Sequence, residues 1–135
     1  MESSDLPFNK ELGIQLADET VTLQPGFRHG NHLGTIHATV AYGLAEAASG
    51  HFLLRQLAER AELFAVLRGS TVKYREPGDL EEPIVAQGSA TEEGLEKMWQ
   101  QLGDRNRAMV EITVSVTQQN RRLLTGTFTW FISAQ

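Results

Sequence analysis

Between His29 and Leu54 the only side chain that is fully charged at neutral pH is Glu46. A carboxylate isolated in the least charged stretch of an acidic chain is placed to act as a general base or a nucleophile, because loss of solvent raises its affinity for protons. Upstream of it stand Asn31 and His37, an amide and an imidazole able to hold or donate to a water or a carbonyl. Each also has a plain structural use: an Asn beside Gly30 suits an Asx-type turn, and a His at a helix end commonly orients the backbone there. His29, His32 and His37 are metal-ligand types, but their loop holds no acidic residue, so no metal is expected. The chain has no cysteine, which excludes thiolate and disulfide chemistry and is compatible with a reducing compartment.

These groups must be positioned by one element. From Thr35, the expected N-cap, apolar and small residues recur at helical steps through Ile36, Val40, Leu44, Ala47, Ala48 and Phe52. The helix is expected to reach about Ala61, turning charged after Arg55 as it emerges into solvent. Gly43, Ala45, Ala47, Ala48 and Gly50 supply little bulk and would let other backbone approach closely. Glu46 shares its face with Thr39, Tyr42, Ser49, Gly50 and Leu53, which is neither a solvated charged face nor an aliphatic one.

Around the helix the sequence predicts strands. Leu6 to Leu12 reads as a short helix with Pro7 in its first turn and Gly13 at its end. Ile14 to Leu23 has strand character with a bulge or hairpin bend near Asp18, and Pro25-Gly26 closes it. Ala65 to Arg75 is expected to place Val66, Ser70, Val72 and Tyr74 on one side, and Pro83 to Thr91 alternates weakly. Glu92 to Gly103 reads either as a helical turn or as a long hairpin loop, and no second long helix is expected. Met109 to Thr117 and Leu123 to Ile132 alternate cleanly, joined by a tight hairpin at Gln119-Asn120-Arg121. The layout is α+β in one domain over residues 1–135: a curved antiparallel sheet of five or six strands around one central helix.

Composition narrows the function. Seventeen acids against twelve bases give a net charge of -5, which argues against general nucleic-acid or anionic-membrane binding. Glu46, the histidines and the glycines make the central stretch too polar to span a membrane, which needs about 20 mainly apolar residues. The amino terminus lacks the basic and apolar segments of a secretory signal, so a cytoplasmic location is expected.

The segment Asn31-His32-Leu33-Gly34-Thr35-Ile36-His37, followed by Leu44-Ala45-Glu46, resembles the hotdog-fold acyl-CoA thioesterases of the phenylacetate-pathway type, and nearly the whole chain takes part. Their pattern is Asn, two residues, Gly, two residues, His, Gly, Gly, with an acid eight positions after the first of those glycines. Here Ala38-Thr39 replaces the glycine pair, and the acid is Glu46 where the phenylacetate type has Asp; aryl-CoA thioesterases of the same fold use Glu. Family members often carry Ser or Thr on the strand after the helix, where Leu67 aligns.

The resemblance implies hydrolysis of an acyl-CoA or aryl-CoA thioester with no cofactor. Glu46 would be base or nucleophile, the amide of Ala38, with that of Thr39 as a second candidate, would meet the oxyanion, Asn31 would hold the attacking water or the thioester carbonyl, and His37 would orient the loop or donate toward the thioester. Thr39, Tyr42 and Ser49 would line the acyl pocket; Lys73, Arg75, Arg105, Arg107, Arg121 and Arg122 are the candidates for the CoA phosphates. Ala38 and Glu46 lie about 12 Å apart along one helix, and His37 and Glu46 point to opposite sides. One helix cannot serve one carbonyl with both, so a homodimer or dimer of dimers is expected. The rival readings are a non-catalytic acyl-CoA or lipid-binding module and, less favoured, a hydratase.

Overall fold

The computed structural model describes residues 2–134. A short 3-10 turn leads into helix α1 (Pro7–Leu12), which Gly13 ends in the left-handed region at φ 92°. The expected bend at Asp18 is a hairpin between strands β1 (Gln15–Ala17) and β2 (Thr20–Leu23), with Asp18 itself at φ 56°. Helix α2 (Ala38–Gln56) follows, then β3 (Leu63–Tyr74), β4 (Ile84–Ser89), helix α3 (Glu92–Arg105), β5 (Arg107–Gln118) and β6 (Arg121–Ala134). All six strands form one antiparallel sheet in the order β1-β2-β4-β5-β6-β3.

One helix packs against four strands, β2, β4, β5 and β6, which is possible only because the sheet curls round it. The alternation read in the last two strands supplies the lining. Val110, Ile112, Val114 and Val116 of β5 and Leu124, Phe128 and Ile132 of β6 are buried against the helix, while threonines occupy the other face. No helix among the described residues is long and apolar enough to cross a membrane.

The structure departs from the sequence reading in four places. Helix α2 starts two residues later than expected: His37, not Thr35, is its N-cap, with Nδ1 accepting from the Thr39 amide at 3.0 Å. Thr35 is instead tied into the preceding loop, where its hydroxyl accepts from Asn31 Nδ2 at 2.8 Å. The helix also ends at Gln56 rather than near Ala61, because Ala58 to Glu62 offers only exposed side chains and no stripe to bury.

The third departure is in β3. Its register against β6 shifts between Leu67 and Gly69, so Arg68 is an extra residue. Inward facing therefore changes parity along the strand. Ala65 and Leu67 pair with the inward Ile132 and Trp130, while Val66 pairs with the outward Phe131; beyond the bulge Ser70, Val72 and Tyr74 pair with inward Phe128, Gly126 and Leu124. Val66 does not share a face with Ser70.

The fourth is α3, a full helix where a turn or loop was expected. Thr91 caps it, accepting from the Gly94 amide at 2.9 Å, and Glu92 and Glu93 fall in the first turn where the helix dipole favours them. Met98 and Leu102, one turn apart, are buried and fix the helix to the sheet beside β5. Met98→Ala is accordingly expected to lower unfolding free energy by about 2–5 kcal/mol, measured by urea denaturation.

Candidate functional site

The loop before α2 is held by its own polar groups. Asn31 Oδ1 accepts from the amides of Leu33 and Thr35 at 2.9 and 3.0 Å, and Nδ2 donates to the Thr35 hydroxyl. Its amide is thereby committed to the loop, the Asx-type arrangement. His29, buried under the same loop, accepts from the Gly26 amide at Nδ1 and bonds the Leu12 carbonyl through Nε2 at 2.8 Å. Both ring nitrogens are occupied, leaving none for a metal. The His29 carbonyl in turn accepts from the His37 amide, and the Gly78 carbonyl from Ile36, so two segments fix the approach to the helix.

A helix leaves its first four amides without partners of its own. Here Thr39 is taken by His37 Nδ1, and Val40 and Ala41 both reach the His37 carbonyl. That leaves Ala38, whose N–H meets no acceptor among the described residues. The expected pair of oxyanion donors is thus reduced to one. Since His37 Nδ1 accepts, its proton sits on Nε2, which has no partner among the described residues and stands ready to donate. Ala38 lines a small groove of about 260 Å³ with Asn31, Thr35, Ala41, Tyr74 and Arg75.

Glu46 lies in a different cavity. Half-buried on α2, it opens into a groove of about 740 Å³ bounded by the helix, the start of β3, Trp130 and the amino-terminal segment at Ser3 and Leu6. Its carboxylate makes no hydrogen bond or ion pair among the described residues. Desolvation raises its pKa above the usual glutamate value, with no cation to offset it.

The other expected site residues separate into groups. Tyr42, one turn before Glu46, bonds Ser70 through its hydroxyl at 2.7 Å and packs its ring on Phe128. Thr39 is exposed at the helix start. Ser49 is not a groove-lining hydroxyl: it is fully buried, donating to the Glu46 carbonyl at 2.7 Å and accepting from Trp130 Nε1 at 3.0 Å. Arg75 borders the Ala38 groove, with Lys73 two residues earlier on β3. Arg105 and Arg107 lie at the far end of the sheet, where Arg107 pairs with Ser133, eight residues or about 27 Å along β6 from the Thr125 that pairs with Lys73. One chain cannot gather both sets round one phosphate. Arg121 is engaged by Asp79 at 2.8 Å and by Gln118 and the Pro77 carbonyl, as a clamp on the loop after β3.

Two residues were missed by sequence reasoning. Trp130, the floor of the Glu46 groove, was legible as an inward residue of β6 but not as a neighbour of the acid. Ser70 puts a hydroxyl on the inner face of β3 although Leu67 occupies the aligned position, and the bulge at Arg68 hid it.

A family model described as a domain of unknown function, DUF4442, matches residues 12–132. The chain belongs to that family. No curated protein matches it. Among solved structures the DUF4442 chain is similar to a protein of unknown function and probable thioesterase from Pseudomonas aeruginosa, at 17% identity and TM-score 0.82, covering 98% of this chain and 91% of that one. It is similar to the E. coli PaaI protein of the phenylacetic acid degradation operon, at 16% identity, TM-score 0.72 and coverage of 98% and 86%. A hypothetical thioesterase from Streptococcus pneumoniae, solved with coenzyme A, gives 21% identity, TM-score 0.67 and coverage of 90% and 85%. These likenesses establish the hotdog fold for this DUF4442 chain.

The raised Glu46 pKa is also a stability statement. A carboxyl whose folded pKa exceeds its unfolded one stabilises the fold while protonated and loses that contribution as pH rises through the folded value. Glu46→Gln removes the charge without the bulk, so its thermal midpoint is expected to exceed that of the unmutated protein at pH 7–8 and to converge with it below the carboxylate range. Calorimetric scans across pH read this difference directly.

Proposed function

We propose that this protein hydrolyses an acyl-CoA thioester at a site completed by two copies of the chain. The observation that carries the reading is the pair of uncommitted groups on one helix, the Glu46 carboxylate and the Ala38 amide, which open into separate grooves about 12 Å apart. Neither groove is a hydrolase by itself. Strand β3 supports their union. It is the sheet's edge, with β6 as its one neighbour, and the Glu46 groove adjoins its start at Phe64 and Ala65 while the Ala38 groove adjoins its end at Tyr74. Antiparallel pairing of this edge with its own copy brings the start of one β3 beside the end of the other. Glu46 then faces the groove of Ala38 of the partner subunit, twice per two-fold dimer.

In the reaction a water attacks the thioester carbonyl carbon as Glu46 accepts its proton. The raised proton affinity of this carboxylate suits it to the base role. The oxyanion that forms meets the Ala38 amide at the positive end of a helix and the His37 Nε2 proton. Collapse breaks the C–S bond, and the proton held by Glu46 passes to the departing thiolate, giving the free acid and CoA. Arg75, which lines the same groove, and Lys73, two residues earlier on β3, are the candidates for the CoA phosphates. The CoA-bound S. pneumoniae relative supports this choice of thioester. Asn31 serves by holding the loop, and Ser49 by tying the Glu46 backbone to Trp130.

Two expectations follow. Glu46→Gln lowers kcat by at least about a hundredfold, and Ala38→Pro, which deletes the N–H at a position that tolerates proline, also abolishes turnover; His37 at φ -62° and ψ 135° already has the backbone that precedes proline. Mixed, unfolded and refolded together in equal amounts, the two inactive variants regain about one quarter of normal activity, because half the dimers are mixed and each carries one intact site. A mixture no more active than its parts excludes the shared site. Thiol release followed against pH gives the second: kcat/KM falls on the acid side at a pH above the 4.5 of an ordinary glutamate. Tight acyl-CoA binding with no thiol released by the unmutated protein would instead mark a non-catalytic binding module.

A further inference from the structure

The groove beside Glu46 continues past the carboxylate. It follows α2 through Gly50, Leu53 and Leu54 to Leu57, eleven residues and so about 16 Å of helix. Its facing wall is Leu63, Phe64 and Ala65 of β3. Leu54 lines it uncovered, 44% exposed, an apolar surface of the kind that takes a ligand; Phe64, paired with the outward Ser133, borders it only from the strand edge.

Gly50 adds an independent observation. A Cβ there would meet Trp130 at 3.4 Å and Ser3 at 3.9 Å, ordinary contact, so packing does not demand the glycine. An interior helical glycine forfeits helix propensity, and what it yields here is methyl-sized room beside the Trp130 ring, within the groove that both residues line. Glu2, Asn9, His51 and Arg55 also border the groove, and beyond Leu57 it meets Arg60, which pairs with Glu62.

We propose that this trough holds a straight aliphatic chain, with the thioester carbonyl at Glu46 and the methyl end toward Leu57, so that the substrates are medium- to long-chain fatty acyl thioesters. The inference rests on Glu46 being the reacting end. An extended chain advances about 1.25 Å per methylene at ordinary C–C lengths and angles, so about thirteen carbons span the trough. Aryl acyl groups are short and broad; they occupy the first turn and leave Leu54 uncovered.

The test uses straight-chain acyl-CoAs of four to sixteen carbons and phenylacetyl-CoA, below micelle-forming concentrations. Binding is measured calorimetrically on Glu46→Gln, and turnover on the protein with Glu46 intact. Affinity and kcat/KM are expected to rise about fourfold per methylene and to level off near twelve to fourteen carbons. Leu54→Trp, at an exposed position, directs its ring back one turn toward the helix start. The rise then levels off by roughly five carbons. A flat length profile, tighter binding of phenylacetyl-CoA than of dodecanoyl-CoA, or a Leu54→Trp protein with the original profile overturns the proposal. Length-dependent binding without turnover upholds the trough and overturns the hydrolase reading; turnover without length dependence does the reverse.

Discussion

The middle of α2 has almost no side-chain bulk, and the structure depends on what can approach it. Gly43, Ala45, Ala47, Ala48 and Gly50 leave the helix backbone itself as the surface to be covered. A Cβ at Gly88 of β4 would sit 3.0 Å from the Ala48 carbonyl oxygen, and one at Gly43 would sit 3.0 Å from Leu12. The sheet presses on one side and the end of α1 on another, each at a distance that larger residues would forbid. With β4 that close, its neighbours must bend to keep their own inward side chains in contact, and the sheet curls.

Close wrapping also explains why one carboxylate can be so isolated. A sheet of six strands with β3 as an edge cannot enclose a helix completely, and the uncovered sector is where Glu46 stands. No donor or cation among the described residues pairs with it, so the charge loses solvent and gains no partner. Such a group is a cost to the fold, tolerated where reactivity requires it. The Trp130–Ser49 link holds the Glu46 peptide to β6, which keeps the carboxylate from moving out toward water.

How much of this was legible depended on how local the signal was. The strands β5 and β6 and their hairpin could be read directly, because inward residues are apolar and most outward ones carry hydroxyls. Helix α3 could not, since its buried set is little more than Met98 and Leu102 and it carries Gly94 and Gly103 within it. The bulge at Arg68 left no mark in the alternation: Val66 and Val72 are spaced as if on one face, and only the pairing with β6 reveals the slip. Thr35 resembled an N-cap in type and place. Asn31 claims its hydroxyl and amide, and the His37 ring takes the cap by reaching Thr39. Contacts between distant segments decided each of these, and periodicity does not record them.

The polar groups of the site divide in a way that bears on chemistry. Among the described residues no buried side-chain nitrogen or oxygen lacks a partner, and every amide of the first turn of α2 but one is engaged. Left without a partner at the site are the Ala38 N–H and the His37 Nε2 at the start of the helix and the half-buried Glu46 carboxylate farther along it, donors and acceptor of opposite sign. In a single chain they are two turns apart and open into different grooves, so neither can relieve the other. A helix dipole that favours negative charge at Ala38 also leaves Glu46, mid-helix, without its help. Complementarity of this kind, withheld within a chain, becomes useful when an antiparallel copy supplies the missing half. The departure from paired glycines at Ala38-Thr39 is then less severe than the sequence suggested, since the Thr39 amide is already spent on the His37 cap and Ala38, the one donor left, carries only a methyl group.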